Sequence, residues 1–142
     1  MYLTGIADEA SQNIEEQIKA TKELGWNAIE SRFVNGKNIH DISDEEFNEV
    51  CQALDGSGVY INAFGSAIGN WGKEVRDDFS ITEEEISRAI PRMKTLGAKF
   101  VRIMSYKVLE QDDQLADERI RRLRLIVDSF SAEGITSVHE NC

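Results

Sequence analysis

The sequence predicts an α/β protein in which about five parallel strands alternate with four helices. Three observations carry this. Leu24-Gly25, Ser57-Gly58, Leu96-Gly97 and Glu133-Gly134 each close a helical pattern and precede a short strand pattern, with the glycines 33, 39 and 37 residues apart. A period of that size is one βα unit, and glycine suits the left-handed position that ends a helix. Asn13-x-x-Glu16, Ser43-x-x-Glu46 and Thr82-x-x-Glu85 have the form of capping boxes, which satisfy the free N–H groups of a helix start. Finally, several strand patterns end on polar or charged residues, as expected where strand ends carry chemistry.

The elements follow in order. The first strand is expected over Tyr2–Ala7, with Asp8 and Glu9 just beyond it. The first helix presents Ile14, Ile18 and Leu24 at helical spacing. A second strand, Trp26–Arg32, leads into a loop carrying Lys37 and a surface histidine, His40. The second helix presents Phe47, Val50, Cys51 and Leu54, and the third strand is Val59–Phe64. The connection Gly65–Ile81 is the longest, rich in Gly, Asn and Asp, and such loops are often functional. Its Trp71 and Phe79 can form a lid or anchor the loop. The third helix presents Ile86, Ala89, Ile90, Met93 and Leu96. Pro91 lies within it and should kink it or mark a short first turn. The fourth strand, Lys99–Ser105, carries Arg102, which needs an acidic partner such as Glu30. A fourth helix from about Ala116 to Glu133 presents Ile120, Leu123, Val127 and Phe130, and the fifth strand is Ile135–Glu140.

Composition narrows the function. The chain of 142 residues is expected to be one domain, 1–142. Its formal net charge of -10 argues against nucleic acid, because phosphate neutralisation needs a basic excess. No apolar run approaches the ~18 residues of a membrane span. Cys51 and Cys142 are the two cysteines, and neither belongs to a zinc-type cluster. A reduced, cytoplasmic protein is the expectation.

Two architectures accommodate five parallel strands. A doubly wound sheet of flavodoxin or receiver type fits the length, and Asp8 and Glu9 suit a receiver's acidic site. However, the third strand ends in Asn62-Ala63-Phe64-Gly65-Ser66 and the fifth in His139-Glu140-Asn141. Neither is the Asp or Lys a receiver requires, nor is there a helix after the fifth strand. A (β/α)8 barrel of TIM type puts its chemistry at the C-terminal strand ends, and Asp8-Glu9, Glu30-Ser31-Arg32, Gly65-Ser66, Arg102 and Glu140 all fall there. Five strands are then a partial barrel. Glu30 and Arg32 share a strand face and either orient a ligand or form a salt bridge. Lys37 can reach an anionic substrate from its loop. Gly65-Ser66 lets backbone approach a ligand. An open arc also leaves its two outer strands with unpaired edges, so self-association is expected.

Five stretches carry a resemblance: Gly5-Ile6-Ala7-Asp8-Glu9; Leu24-Gly25-Trp26-Asn27-Ala28-Ile29-Glu30-Ser31-Arg32 with Asn35-Gly36-Lys37-Asn38; Phe64-Gly65-Ser66-Ala67-Ile68-Gly69; Leu96-Gly97-Ala98-Lys99-Phe100-Val101-Arg102-Ile103; and Val138-His139-Glu140-Asn141. In this order the chain resembles the N-terminal part of the xylose isomerase-like TIM barrels, the sugar phosphate isomerases and epimerases. The resemblance implies a partial barrel, truncated after the fifth strand. It also implies a metal-dependent isomerase or epimerase of a sugar or sugar phosphate, working by proton transfer next to a carbonyl. Glu140 takes the place of the family's strand-five glutamate, a ligand of a divalent metal (Mn, Mg, Co or Zn) and a group that moves protons. The other ligands come from later strands, so the metal is expected only in the full-length protein. This chain alone should be inactive. By position, the substrate-binding candidates are Glu30, Arg32, Lys37 and Ser66. His139, adjacent to Glu140, points to the opposite face and reads as a core or surface histidine. Two rival readings remain: an abasic-site endonuclease of the same superfamily, and a non-enzymatic five-stranded binding domain.

Overall fold

In the computed structural model, which describes residues 1–109 and 112–140, five parallel strands form one sheet. These are β1 (Thr4–Ile6), β2 (Ala28–Ser31), β5 (Tyr60–Phe64), β6 (Phe100–Ile103) and β7 (Thr136–His139), paired in sequence order. That is the order of a barrel arc. A doubly wound sheet would place its first strand inside. Helices α1 (Ile14–Glu23), α2 (Asp44–Leu54), α3 (Ser80–Leu96) and α4 (Ala116–Ala132) are the crossovers. Two short strands, β3 (Phe33–Val34) and β4 (Lys37–Asn38), form an antiparallel hairpin after β2 where the sequence predicts only a loop. Its turn is Asn35-Gly36, with φ of 53° and 76°, the dipeptide that favours a two-residue hairpin.

Burial explains the sheet. Ile29, Ile61, Phe64 and Val101 of the strands are buried together with Ile18 of α1, Val50 of α2, Met93 of α3, and Ile126 and Phe130 of α4. Two expected core positions differ. Leu24 is 64% exposed, because α1 ends at Glu23 and its buried face runs through Ile14, Gln17, Ile18 and Thr21. On α4 the buried face is Arg122, Ile126 and Phe130, while Ile120 and Val127 are exposed. An arginine stands there because it donates to Glu118 and to the Asp77 carbonyl, at 2.7 and 2.8 Å, and its guanidinium lies over the rings of Phe79 and Tyr106, at 5.4 and 5.8 Å.

Capping follows the sequence at two helices. Asn13 accepts from the Glu16 N–H, and Ser43 with Glu46 forms the full reciprocal box. The third expected box does not form. Helix α3 starts earlier, at Ser80, whose N–H is taken by Asp78. Thr82 and Glu85 are instead buried inside the helix, Glu85 against Lys73 of the preceding loop and Thr82 against the Tyr106 hydroxyl. Pro91 lies well inside α3, which continues to Leu96, rather than in a first turn. No helix of the described residues is long and apolar enough to cross a membrane.

Candidate functional site

The C-terminal ends of β1, β2, β5, β6 and β7 meet at one mouth. The turn Ala7–Glu9 after β1 brings two acids against the end of β2. Arg32 Nε donates to Asp8 Oδ2 at 3.0 Å and Nη2 to Glu9 Oε1 at 2.6 Å. Asp8 is buried, so it needs this partner. Burial opposes the Arg32 charge, but hydrogen bonds to the two carboxylates outweigh it and raise its pKa. Next along the sheet, Arg102 of β6 faces Glu140, just past β7, with Nη1 to Oε2 at 3.1 Å. Its Nη2 also donates to the carbonyls of Gly65 and Ser66. The expected Glu30–Arg102 pair therefore does not form. Parallel neighbours at equal depth explain this: β6 and β7 are in register, Arg102 opposite Val138, so Glu140 is two residues further on and at hand. Glu30 stands next to the Gly65 backbone and makes no ion pair among the described residues.

The loop after β5 forms the pocket's other wall. Ser66 is fully buried, its hydroxyl donating to the Arg102 carbonyl at 2.5 Å and accepting from the Ile68 N–H. Asn38 donates to the Gly65 carbonyl. Lys73 Nζ donates to Glu85 Oε1 and to the Ala67 carbonyl, both at 2.6 Å. Gly69, at φ 65°, lies so close to β6 that an added Cβ would overlap the Met104 oxygen. The result is a pocket of about 410 Å³ whose walls include Arg32, Asn38, Asn70, Trp71, Arg102 and Glu140. Trp71 is 72% exposed at its rim, and Phe79 packs against the core instead of beside it.

Of the residues singled out in the sequence, Arg32, Trp71, Arg102 and Glu140 line this pocket, and Glu30, Lys37 and Ser66 do not. Lys37 points to α2, 3.1 Å from Glu46, whose carboxyl is held below the usual range by the Ser43 N–H first and then by Lys37. His139 is exposed, and Asn141 and Cys142 lie outside the described residues. His40 corrects the expectation of a surface residue, because it is 0% exposed. Its Nε2 accepts from the Ala67 N–H at 3.1 Å, tying the hairpin to the pocket loop. No local pattern signals this burial, because His40 follows a hairpin that folds it inward. Asn38 and Asn70 also escape sequence reasoning, since nothing in their spacing distinguishes them from turn residues. A second groove of about 490 Å³ lies at the opposite, N-terminal ends of the strands, beside Cys51, Leu54 and Leu96. Burial raises the Cys51 thiol pKa, and this groove carries no acids facing arginines.

One group has the make-up and spacing of a cation site. Ligand atoms of His40, Asp41 and Glu85 lie within 4.8 Å of one another. Much of the group's bonding capacity is engaged, while the buried Glu85 Oε2 has no hydrogen-bond partner. His40 Nε2 accepts from Ala67, so Nδ1 carries the ring proton and has no lone pair to give. Asp41 is also taken by Arg88, and Glu85 by Lys73. Beside His40, and secondarily Arg88, Asp41 is held well below the usual carboxylate range. At the mouth, Glu140 offers a single carboxylate facing a guanidinium. Divalent ions take about four to six ligands, some of them water, and a single carboxylate facing a guanidinium does not by itself hold one.

Sequential parallel strands, helical crossovers and a polar mouth at the strand ends define a barrel-type α/β protein. Residues 18–142 match the family described as xylose isomerase-like TIM barrel, and the chain belongs to that family. No match is found among curated proteins. Among solved structures, it is similar to a xylose isomerase-like TIM barrel protein from Mycobacterium smegmatis in complex with magnesium. The identity is 16% and the TM-score 0.65, over 97% of this chain and 54% of that one. It is also similar to a D-allulose 3-epimerase from Methylomonas sp., at 12% identity and TM-score 0.70, over 98% and 51% respectively. The chain thus spans about half the length of these structures.

Proposed function

We propose that the complete protein is an isomerase or epimerase of a sugar or sugar phosphate, and that this chain supplies one side of its active site. The observation that carries the reading is the Glu140–Arg102 pair at the pocket, on a fold shared with an epimerase. Glu140 is the group that accepts or returns a proton at the carbon next to the substrate carbonyl. Arg102 is its positioning residue, held in turn by the carbonyls of Gly65 and Ser66. Arg32 and the Asn38 and Asn70 amides orient hydroxyl groups, and Trp71 closes the rim. A divalent metal would belong to this reading only in the complete protein, where Glu140 would be one of its ligands and the ion would polarise the carbonyl. The test is deuterium wash-in from D2O into a ketohexose by the complete protein. Glu140→Gln should abolish exchange, and Arg102→Lys should reduce it more than tenfold. Exchange at the wild-type rate in Glu140→Gln refutes the assignment.

A further inference from the structure

Two arginines at the mouth of a sugar pocket look like a cradle for a phosphate, yet both are already engaged. Arg32 holds Asp8 and Glu9. Arg102 holds Glu140 and two carbonyls. The nearby lysines are committed as well, Lys73 to Glu85 and Lys37 to Glu46. Counting the groups at the strand ends, the carboxylates of Asp8, Glu9, Glu30 and Glu140 outnumber Arg32 and Arg102 by two. A phosphate dianion entering here would meet an excess of negative charge. To capture Arg32 it would have to leave Asp8, whose side chain is 2% exposed, without its cation, and to capture Arg102 it would displace Glu140. Asp8 Oδ1 already lacks a hydrogen-bond partner, and an unpaired buried carboxylate is among the costliest states a folded chain can hold.

An uncharged hydroxyl group meets none of these obstacles. It can donate to Glu140 and accept from an amide, and it needs no free cation. Trp71 adds an exposed aromatic face at the rim, suited to the C–H face of a sugar ring. We infer that the pocket takes a free ketose or polyol and discriminates against the corresponding phosphate ester. This rests on the reading of the mouth as a sugar site.

Amide and indole NMR titrations of the complete protein test it, with D-fructose, D-fructose 6-phosphate and inorganic phosphate as probes. D-fructose should shift the Trp71 indole and the Ala67 and Asn70 amides, and the phosphate ester should bind at least tenfold more weakly. Glu9→Gln, which releases one side of Arg32 at an exposed position, should narrow that gap. Tighter binding of the ester than of the free sugar, or a gap unchanged in Glu9→Gln, overturns the inference while leaving a sugar site intact. Shifts from neither sugar at these residues refute the sugar site itself, and the inference with it.

Discussion

Replacing Gly69 with alanine strikes the pocket wall where loop and strand are closest. The residue sits at φ 65°, and its Cβ would overlap the Met104 oxygen and lie 3.1 Å from the Met104 carbonyl carbon. Neither side can yield without cost. Met104 N–H donates to the Ile68 carbonyl at 3.0 Å, and Tyr106 N–H to the Gly69 carbonyl at 2.6 Å. A left-handed conformation costs an L-residue about 1–2 kcal/mol. Relieving the overlap breaks one or both backbone bonds, at about 1 kcal/mol net each and more where the freed groups stay buried. The expected loss is about 3–5 kcal/mol, a large share of the ~5–15 kcal/mol that holds a domain folded. Gly25 provides the control. It has φ 72°, and a methyl group added there would meet nothing within 4 Å. Gly25→Ala should therefore cost only the conformational term of about 1–2 kcal/mol. Urea unfolding of both variants measures the difference. Equal losses in the two would refute the close approach of Gly69 to β6.

Two further outcomes are expected. Asp41 has a folded-state pKa below its ordinary 3.8, so the stability it contributes is present above that value and lost as pH falls through the lower, folded one. The urea midpoint of the wild type should therefore exceed that of Asp41→Asn near neutral pH, with the gap closing below about pH 4; a gap that persists unchanged at pH 2 contradicts the assignment. The outer strands β1 and β7 each have one paired side, and Tyr2, Leu3 and Val138 are exposed there. The chain should self-associate, more strongly as salt screens its net charge of -10, and sedimentation velocity that shows one monomeric species at all concentrations would count against this.

Legibility of the fold tracked how local its causes were. The glycine period and the boxes at Asn13 and Ser43 act within a few residues, so strand order and helix positions could be read from them. Thr82 and Glu85 match the same box pattern, but their environment is set from a distance. Lys73 and Tyr106 meet them across the loop, while Asp78 starts the helix early. The buried Arg122 is a similar case. A charged side chain belongs in solvent, and the Glu118 carboxylate, the Asp77 carbonyl and the rings of Phe79 and Tyr106 together make its burial acceptable. The Asn35-Gly36 hairpin, in contrast, has a local cause, and its two-residue strands are simply too short to show a period.

The candidate site shows the same division with more at stake. That charged residues would crowd the strand ends was legible, because a barrel-type sheet collects its polar ends at one mouth. Which acid faces which arginine was not, since it depends on register between strands far apart in sequence. The difference decides which side chains stand on the pocket wall. A pairing of Glu30 with Arg102 would have left Glu140 as a free carboxylate and Arg102 well inside the mouth. The observed pairing puts Arg102 and Glu140 together on the pocket wall. It also means that each arginine at the mouth is there first because a strand-end acid needs a cation. Desolvating Asp8 requires Arg32, and orienting Glu140 requires Arg102. What such a mouth presents is hydrogen-bonding capacity without spare positive charge, and that balance follows from the demands of folding the strand ends.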